Sequence, residues 1–226
     1  MQRPGVGAVT CLYRGVSSGG FWANLSALDI DCQFLPNVIV ALSFRLARPC
    51  FGATIALSRD TLERIGGFSA FFDQLWDDYA IGEAVRELGS RVSVIPLALG
   101  HFCSERSGRE LFDRQLRVAR TIRGIDPIGY AGGLITHPFP LAVIAMLCGG
   151  GRLALFLAIF VLACRLGLGR SVERRFGGRR NSYWVLPIRE FTSFAIHVAG
   201  FFRANVTWRG RRYRLLSDGT VAPYPE

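Results

Sequence analysis

Lysine is absent from this 226-residue chain: all of its 27 basic residues are arginine, set against 17 acids for a formal net charge of +10. Charge of either sign is scarce, at 19% of residues, while half are hydrophobic. Such a chain is long enough to bury a sizeable core but is unusually apolar for a soluble enzyme, so a membrane component is expected. The arginine excess suits two partners, phosphate-bearing ligands and an anionic cytoplasmic leaflet. Nucleic acid is not expected as a partner, because the basic residues are scattered among apolar runs and form no polar, aromatic-studded face.

There is no CxxC pair either. The six cysteines, Cys11, Cys32, Cys50, Cys103, Cys148 and Cys164, lie far apart and two fall inside apolar runs, which suggests neither a zinc site nor a disulfide framework and makes a reducing compartment the default. The opening stretch MQRPGVGAVTCLYRG lacks an apolar core long enough for a signal peptide and reads as the start of a strand.

What is present in residues 1 to about 128 is an α/β pattern. Val6 to Tyr13 alternates and ends at Arg14-Gly15, as a strand and turn do, and Cys50 to Leu57 is a second short apolar run. Asp60 to Gly67 predicts a short helix with a capping Asp and a glycine stop. Ile81, Ala84, Val85 and Leu88 recur at helical spacing up to Gly89, and Arg91 to Pro96 follows as a strand. Arg109 to Arg123 predicts an amphipathic helix with Leu111, Phe112, Leu116, Ala119 and Ile122 on one side and Arg114, Arg117 and Thr121 on the other.

After Gly129 the character changes. Hydrophobic helices are expected at about 134–148, 153–168 and 190–206, the first two as a hairpin broken at Gly149-Gly150-Gly151. Each arm is at the short end of the roughly 20 residues that a membrane span needs. The bland alternative is a buried helix pair in a soluble protein. Arg170, Arg174, Arg175, Arg179 and Arg180 form a basic stretch suited to the cytoplasmic side. The third segment carries His197 and Arg203, and an interfacial or re-entrant helix there would return the basic tail Trp208 to Arg214 to the same face.

Several residues are candidates for chemistry. In WDDYAIG, one of Asp77 and Asp78 suffices to cap a helix; the other, kept ionised by the positive helix end, is suited to take a proton from a hydroxyl. Arg114 and Arg117 are either a solvated helix face or a diphosphate clamp, since planar guanidinium forks match phosphate oxygens. Asp29-Ile30-Asp31 has the form of a metal-binding DxD but follows a helix-like stretch rather than an apolar strand, so a solvated loop is the expectation. His101 stands at the end of a strand, where a structural role is the commoner one. Gly52 permits close backbone approach to a ligand, or simply makes a turn.

Five segments in order, VTCLYRG (9–15), CFGATIALSRDTLERIGGF (50–68), DDYAIGEAVRELG (77–89), RQLRVARTIR (114–123) and WRGRRYRL (208–215), resemble family-2/21-type glycosyltransferases. More narrowly they resemble the ceramide glucosyltransferase and hopanoid-biosynthesis branch. The resemblance implies a GT-A fold at the cytoplasmic face of the inner membrane and inverting transfer of a sugar from a UDP-sugar to a lipid hydroxyl. It makes Asp78 the general base of an (E/D)D motif, with Asp77 in support, and sets Arg114 and Arg117 at the first and fourth positions of (Q/R)xxRW, next to the donor diphosphate. Gly52, His101 and Val118 fall on the acceptor side or in support.

Two departures accompany it. Val118 stands where the motif has Trp, and it is expected to pack at the edge of the apolar face of its helix. The half of the family domain with the DxD normally precedes VTCLYRG, so Asp29 and Asp31 cannot be that DxD, and the Mg or Mn ion implied for the complete enzyme has no ligands here. The expected fold is thus α/β: the C-terminal half of a GT-A domain (1–128) followed by membrane-embedded α-helices (129–226). A split or truncated gene or a misplaced start codon would account for this, with a separate N-terminal fragment as a further partner. The alternatives are a catalytically inactive remnant or accessory membrane subunit and, third, a processive polysaccharide synthase.

Overall fold

The computed structural model describes residues 4–72, 74, 76–177, 183–202, 205–208, 211–215 and 221–223. It is a mixed α/β protein, mostly helical, in two compact units: Met1–Arg14, Asn37–His101 and Asn205–Glu226 make the first, Gly15–Pro36 and Phe102–Ala204 the second.

The first unit is built on a three-stranded sheet of order β2-β1-β3, from β1 (Val6–Ser17), β2 (Ile55–Leu57) and β3 (Arg91–Cys103). β1 and β2 are antiparallel, with Ala8 opposite Leu57 and Thr10 opposite Ile55. β3 runs well past the predicted end at Pro96. It is an edge strand, where a residue without an N–H is tolerated. Helix α3 (Arg59–Arg64) is capped by Ser58, whose Oγ accepts the Thr61 N–H at 3.0 Å, and not by the expected Asp60, which lies in the first turn. Helix α4 (Asp77–Glu87) buries Ile81 and Val85 at the predicted spacing and stops at Gly89, whose φ of 74° is the left-handed conformation that ends a helix.

β1 does not turn at Arg14-Gly15 but continues to Ser17. In the second unit the Gly15 N–H donates to Asp31 Oδ1 at 2.7 Å, and a Cβ at position 15 would lie 2.4 Å from the Ala27 carbonyl oxygen. Only glycine lets the strand pass the helix this closely.

That helix is α1 (Phe21–Asp29), which continues through a π-helical turn (Ile30–Phe34) into α2 (Leu35–Ser43). The run overturns the solvated-loop expectation for Asp29-Ile30-Asp31: Asp31 is only 2% exposed. The other helices are α5 (Gly108–Ile125) and α9 (Leu186–Gly200), which pack on α1 and on each other, α6 (Pro127–Gly132) against α5, and α7 (Pro138–Leu147) against α8 (Gly151–Phe176) and α9. Leu25, Leu28, Leu111, Ala119, Tyr130, Leu186 and Ile196 are buried together in their core. Each such leucine contributes roughly 1.5–3 kcal/mol by leaving water.

The predicted hydrophobic helices are shifted in their bounds. The first is bent by 64° between Pro127–Thr136 and Pro138–Leu147, since Pro138 drives His137 out of helical geometry (φ −109°, ψ 53°). The second is the 26-residue α8. The third starts earlier, with Pro187 in its first turn, and ends at Gly200, not 206; Asn205–Trp208 is already strand β4. β4 pairs antiparallel with β5 (Arg211–Leu215), and β5 with β6 (Val221–Pro223). Arg179, Arg180, Arg209 and Gly210 of the two expected basic segments, and Arg203 of the third hydrophobic one, lie outside the described residues.

Two helical runs, Phe21–Ser43 and Gly151–Phe176, are long and apolar enough to cross a membrane, and the bent pair makes a third if counted as one span. In the α7–α8 hairpin Phe139, Ala142 and Ala158 form a small buried cluster, while Leu147, Leu153 (68% exposed) and Phe156 (62%) are exposed. Apolar exposure on this scale suits lipid rather than water.

Candidate functional site

In the first unit the chemistry gathers at the start of α4. Its helix begins at Asp77, and each aspartate accepts the next residue's amide: Asp78 N–H to Asp77 Oδ1 at 3.0 Å, Tyr79 N–H to Asp78 Oδ1 at 2.8 Å. The other oxygen of Asp78 accepts the Gly52 N–H at 2.9 Å. Burial pushes the Asp78 carboxyl above its ordinary range; the Gly52 and Tyr79 hydrogen bonds oppose this and the Asp77 charge adds to it. The helix-end amide of Tyr79 and the Gly52 amide favour the ionised form, while burial works against it.

The loop bearing Gly52 is held at three points. Thr10 Oγ1 on β1 accepts the Phe51 N–H at 3.0 Å and donates to the Phe51 carbonyl at 3.1 Å. Arg86 Nη2, on the last turn of α4, donates to the Arg48 carbonyl at 2.6 Å, and Asp78 takes Gly52. A Cβ on residue 52 would sit 3.1 Å from Asp78 Oδ2, so the close approach expected of Gly52 is to this carboxylate. Cys50 lies in the same loop, its thiol pushed up to about 11 by burial and then by Asp78, with Arg86 opposing. His101 is tied in through rings: its imidazole lies 5.4 Å from Tyr13, which meets Phe51 edge-on at 5.9 Å.

In the second unit α5 begins with Ser107, whose Oγ accepts the Glu110 N–H at 3.2 Å while Glu110 Oε2 accepts the Arg106 N–H at 2.8 Å. This reciprocal cap is legible in the sequence as Ser-Gly-Arg-Glu. It fixes the start of the helix that carries both arginines. Arg114 is partly buried and pairs through Nη2 with Glu105 Oε1 at 2.7 Å and Ser26 Oγ at 2.5 Å. Ser26 in turn donates to Glu105 at 3.1 Å, which closes a triangle. Arg117 is exposed. Val118 does not pack against the apolar face but is 50% exposed, because its position has turned past the buried Leu111–Ala119 stripe.

A second charged cluster was not anticipated. Arg189 and Glu190, the first 1% and the second 0% exposed, pair with each other. Arg189 reaches Asp29 Oδ1 at 2.9 Å and Gln33 Oε1 at 2.8 Å, and Arg165 Nε reaches Glu190 Oε1 at 3.3 Å. The available signal was an Arg-Glu pair inside an apolar segment, which seldom persists without partners.

Asp29 is thus engaged by Arg189, and Asp31 by Gly15. Among the described residues no group of three or more His, Cys, Asp or Glu is arranged to hold a metal ion. The described side chains therefore do not fit a divalent cation.

The family model for Glycosyl transferase family 21 matches residues 1–221. No curated protein and no solved structure matches the chain.

Proposed function

The chain belongs to glycosyl transferase family 21, whose members move a sugar from a nucleotide-sugar donor to an acceptor, and we propose that here the donor is a UDP-sugar and the acceptor a lipid hydroxyl, as in the ceramide and hopanoid branch. Asp78 is the general base. Its carboxylate takes the proton of the acceptor hydroxyl as that oxygen bonds to the anomeric carbon from the face opposite the leaving group. The bond from that carbon to the phosphate oxygen breaks, its electrons depart with UDP, and the configuration inverts. Arg114 and Arg117 balance the negative charge that builds on the diphosphate. Asp77 and Gly52 orient the base.

The observation that carries this is the environment of Asp78. It is a half-buried carboxylate with a raised pKa, held by two backbone amides and free of any cationic partner among the described contacts. A base of raised pKa is a better proton acceptor once ionised than an ordinary surface carboxylate. The exposed apolar hairpin supports a lipid acceptor, since an enzyme anchored in a bilayer meets its acceptor at the surface. Orientation at the cytoplasmic face of the inner membrane belongs to the same proposal, as does the Mg or Mn ion of the donor side.

Asp78→Asn in the membrane-bound enzyme tests it. Transfer from UDP-sugar to lipid should fall by at least about a thousandfold, with UDP affinity unchanged within a few-fold. Activity within a few-fold of wild type would remove Asp78 from the role of base.

A further inference from the structure

We propose that Glu105 is a positioning residue for Arg114, with Ser26 as the bridge between them. The inference rests on the reading of Arg114 as a donor-diphosphate ligand. A single guanidinium on a long, rotamer-rich side chain binds a diphosphate well only if its direction is set before the ligand arrives. Here it is set. Glu105 Oε1 takes Arg114 Nη2 at 2.7 Å, and Ser26 Oγ, itself fully buried on α1, accepts from the same nitrogen and donates to the same carboxylate oxygen.

The anchor is firmer than the group it anchors. The Glu105 side chain is 6% exposed against 33% for Arg114, so the carboxylate is the fixed point and the guanidinium the part that reaches the surface. Glu105 Oε2 is buried without a hydrogen-bond partner among the described residues, so Arg114 is the cation on which this carboxylate depends. Pairing of this kind lowers the order that must be imposed on Arg114 when the donor binds.

UDP binding to the detergent-solubilised full chain tests this by titration calorimetry. Glu105→Gln keeps the shape and removes the charge; it should weaken UDP about tenfold, as loss of a charge-assisted contact does, while Glu105→Asp recovers part of the affinity. Ser26→Ala, which leaves both charges in place, should give a smaller loss and serves if Glu105→Gln fails to fold. The decisive comparison is non-additivity: in an Arg114→Ala background the effect of Glu105→Gln on UDP affinity should vanish, which a merely structural role would not produce. If Arg114→Ala weakens UDP but Glu105→Gln and Ser26→Ala bind it as wild type, the positioning role is overturned and the clamp stands. If Arg114→Ala itself binds UDP as wild type, the clamp falls and the inference with it.

Discussion

The backbone N–H of Gly52 donates to Oδ2 of Asp78 at 2.9 Å, across 26 residues of chain. The proposed base is therefore aimed by a main-chain group, which cannot swing away as a side chain can. A methyl at position 52 would lie 3.1 Å from that oxygen and 3.3 Å from Asp78 Cβ, tighter than ordinary contact allows. Gly52→Ala should displace the carboxylate and lower kcat about tenfold to a hundredfold, the scale of a misplaced catalytic group. Stability should change little, because the loop stays tied by Thr10 and Arg86. Steady-state kinetics beside a melting curve checks this; unchanged kcat would show that the Gly52 amide does not aim the base.

The raised pKa of Asp78 has consequences of opposite sign for activity and stability. As a base it must be ionised, so kcat/KM should rise with pH through a value above the ordinary carboxylate range. In folding, a proton held more tightly in the native state contributes stability that is full below the unfolded pKa of about 3.9 and is lost as pH rises through the folded pKa. Asp78→Asn carries no charge to desolvate. Its amide nitrogen cannot accept one of the two backbone N–H groups, so the readout is the pH trend: its melting temperature relative to wild type should fall as the pH drops from 7 toward 4, while it is inactive throughout. A melting difference that stays constant between pH 7 and pH 4 would contradict the raised pKa of this carboxyl.

Local features of the fold were legible in sequence, and links between distant segments were not. Helix α4 was readable because Ile81, Val85 and the Gly89 stop are signals within one segment. The Gly52 amide that meets Asp78 is 26 residues away, and Ser26, which bridges Arg114 and Glu105, is 88 residues from Arg114, so neither link leaves a local trace. Asp29 and Asp31 were misread for the same reason: acids in a single sequence are assigned to water unless a partner is visible, and theirs are Arg189 and Gly15. Apolar segments were found, but their ends were set by Pro138, Pro187 and by Arg120 and Arg123, which donate to the carbonyls of Phe202 and Phe201.

Phe156 and Phe160 stack on the outer side of α8 with ring centroids 6.0 Å apart and are 62% and 55% exposed. If this side meets lipid, Arg at both positions costs roughly 2.5–3.5 kcal/mol per residue for insertion near the bilayer centre. Phe156→Arg/Phe160→Arg should move the protein from the carbonate-resistant membrane fraction toward the extractable one, whereas Phe156→Leu/Phe160→Leu should not. Full carbonate resistance of the double Arg variant would mean that this side of α8 is covered by protein instead.

Glu190 sits between two arginines with no exposure of its own, bonded to Arg189 and 3.3 Å from Arg165. Removing it leaves two buried guanidinium groups with Asp29 as the nearest remaining acid in the cluster, and breaking a buried pair in this way costs about 3–5 kcal/mol. Replacing the charges together is different, because apolar residues of similar volume spare the whole desolvation cost. Glu190→Ala should therefore unfold at markedly lower temperature in detergent, and Glu190→Leu combined with Arg189→Met and Arg165→Met should recover much of the loss. Arg165 also donates to the carbonyls of Cys32 and Thr136, at 2.7 and 2.5 Å, so full recovery is not expected. If Glu190→Ala melted within a degree of wild type, the two arginines would have to reach water, and the cluster would not be the closed ion network that ties α1, α8 and α9 together.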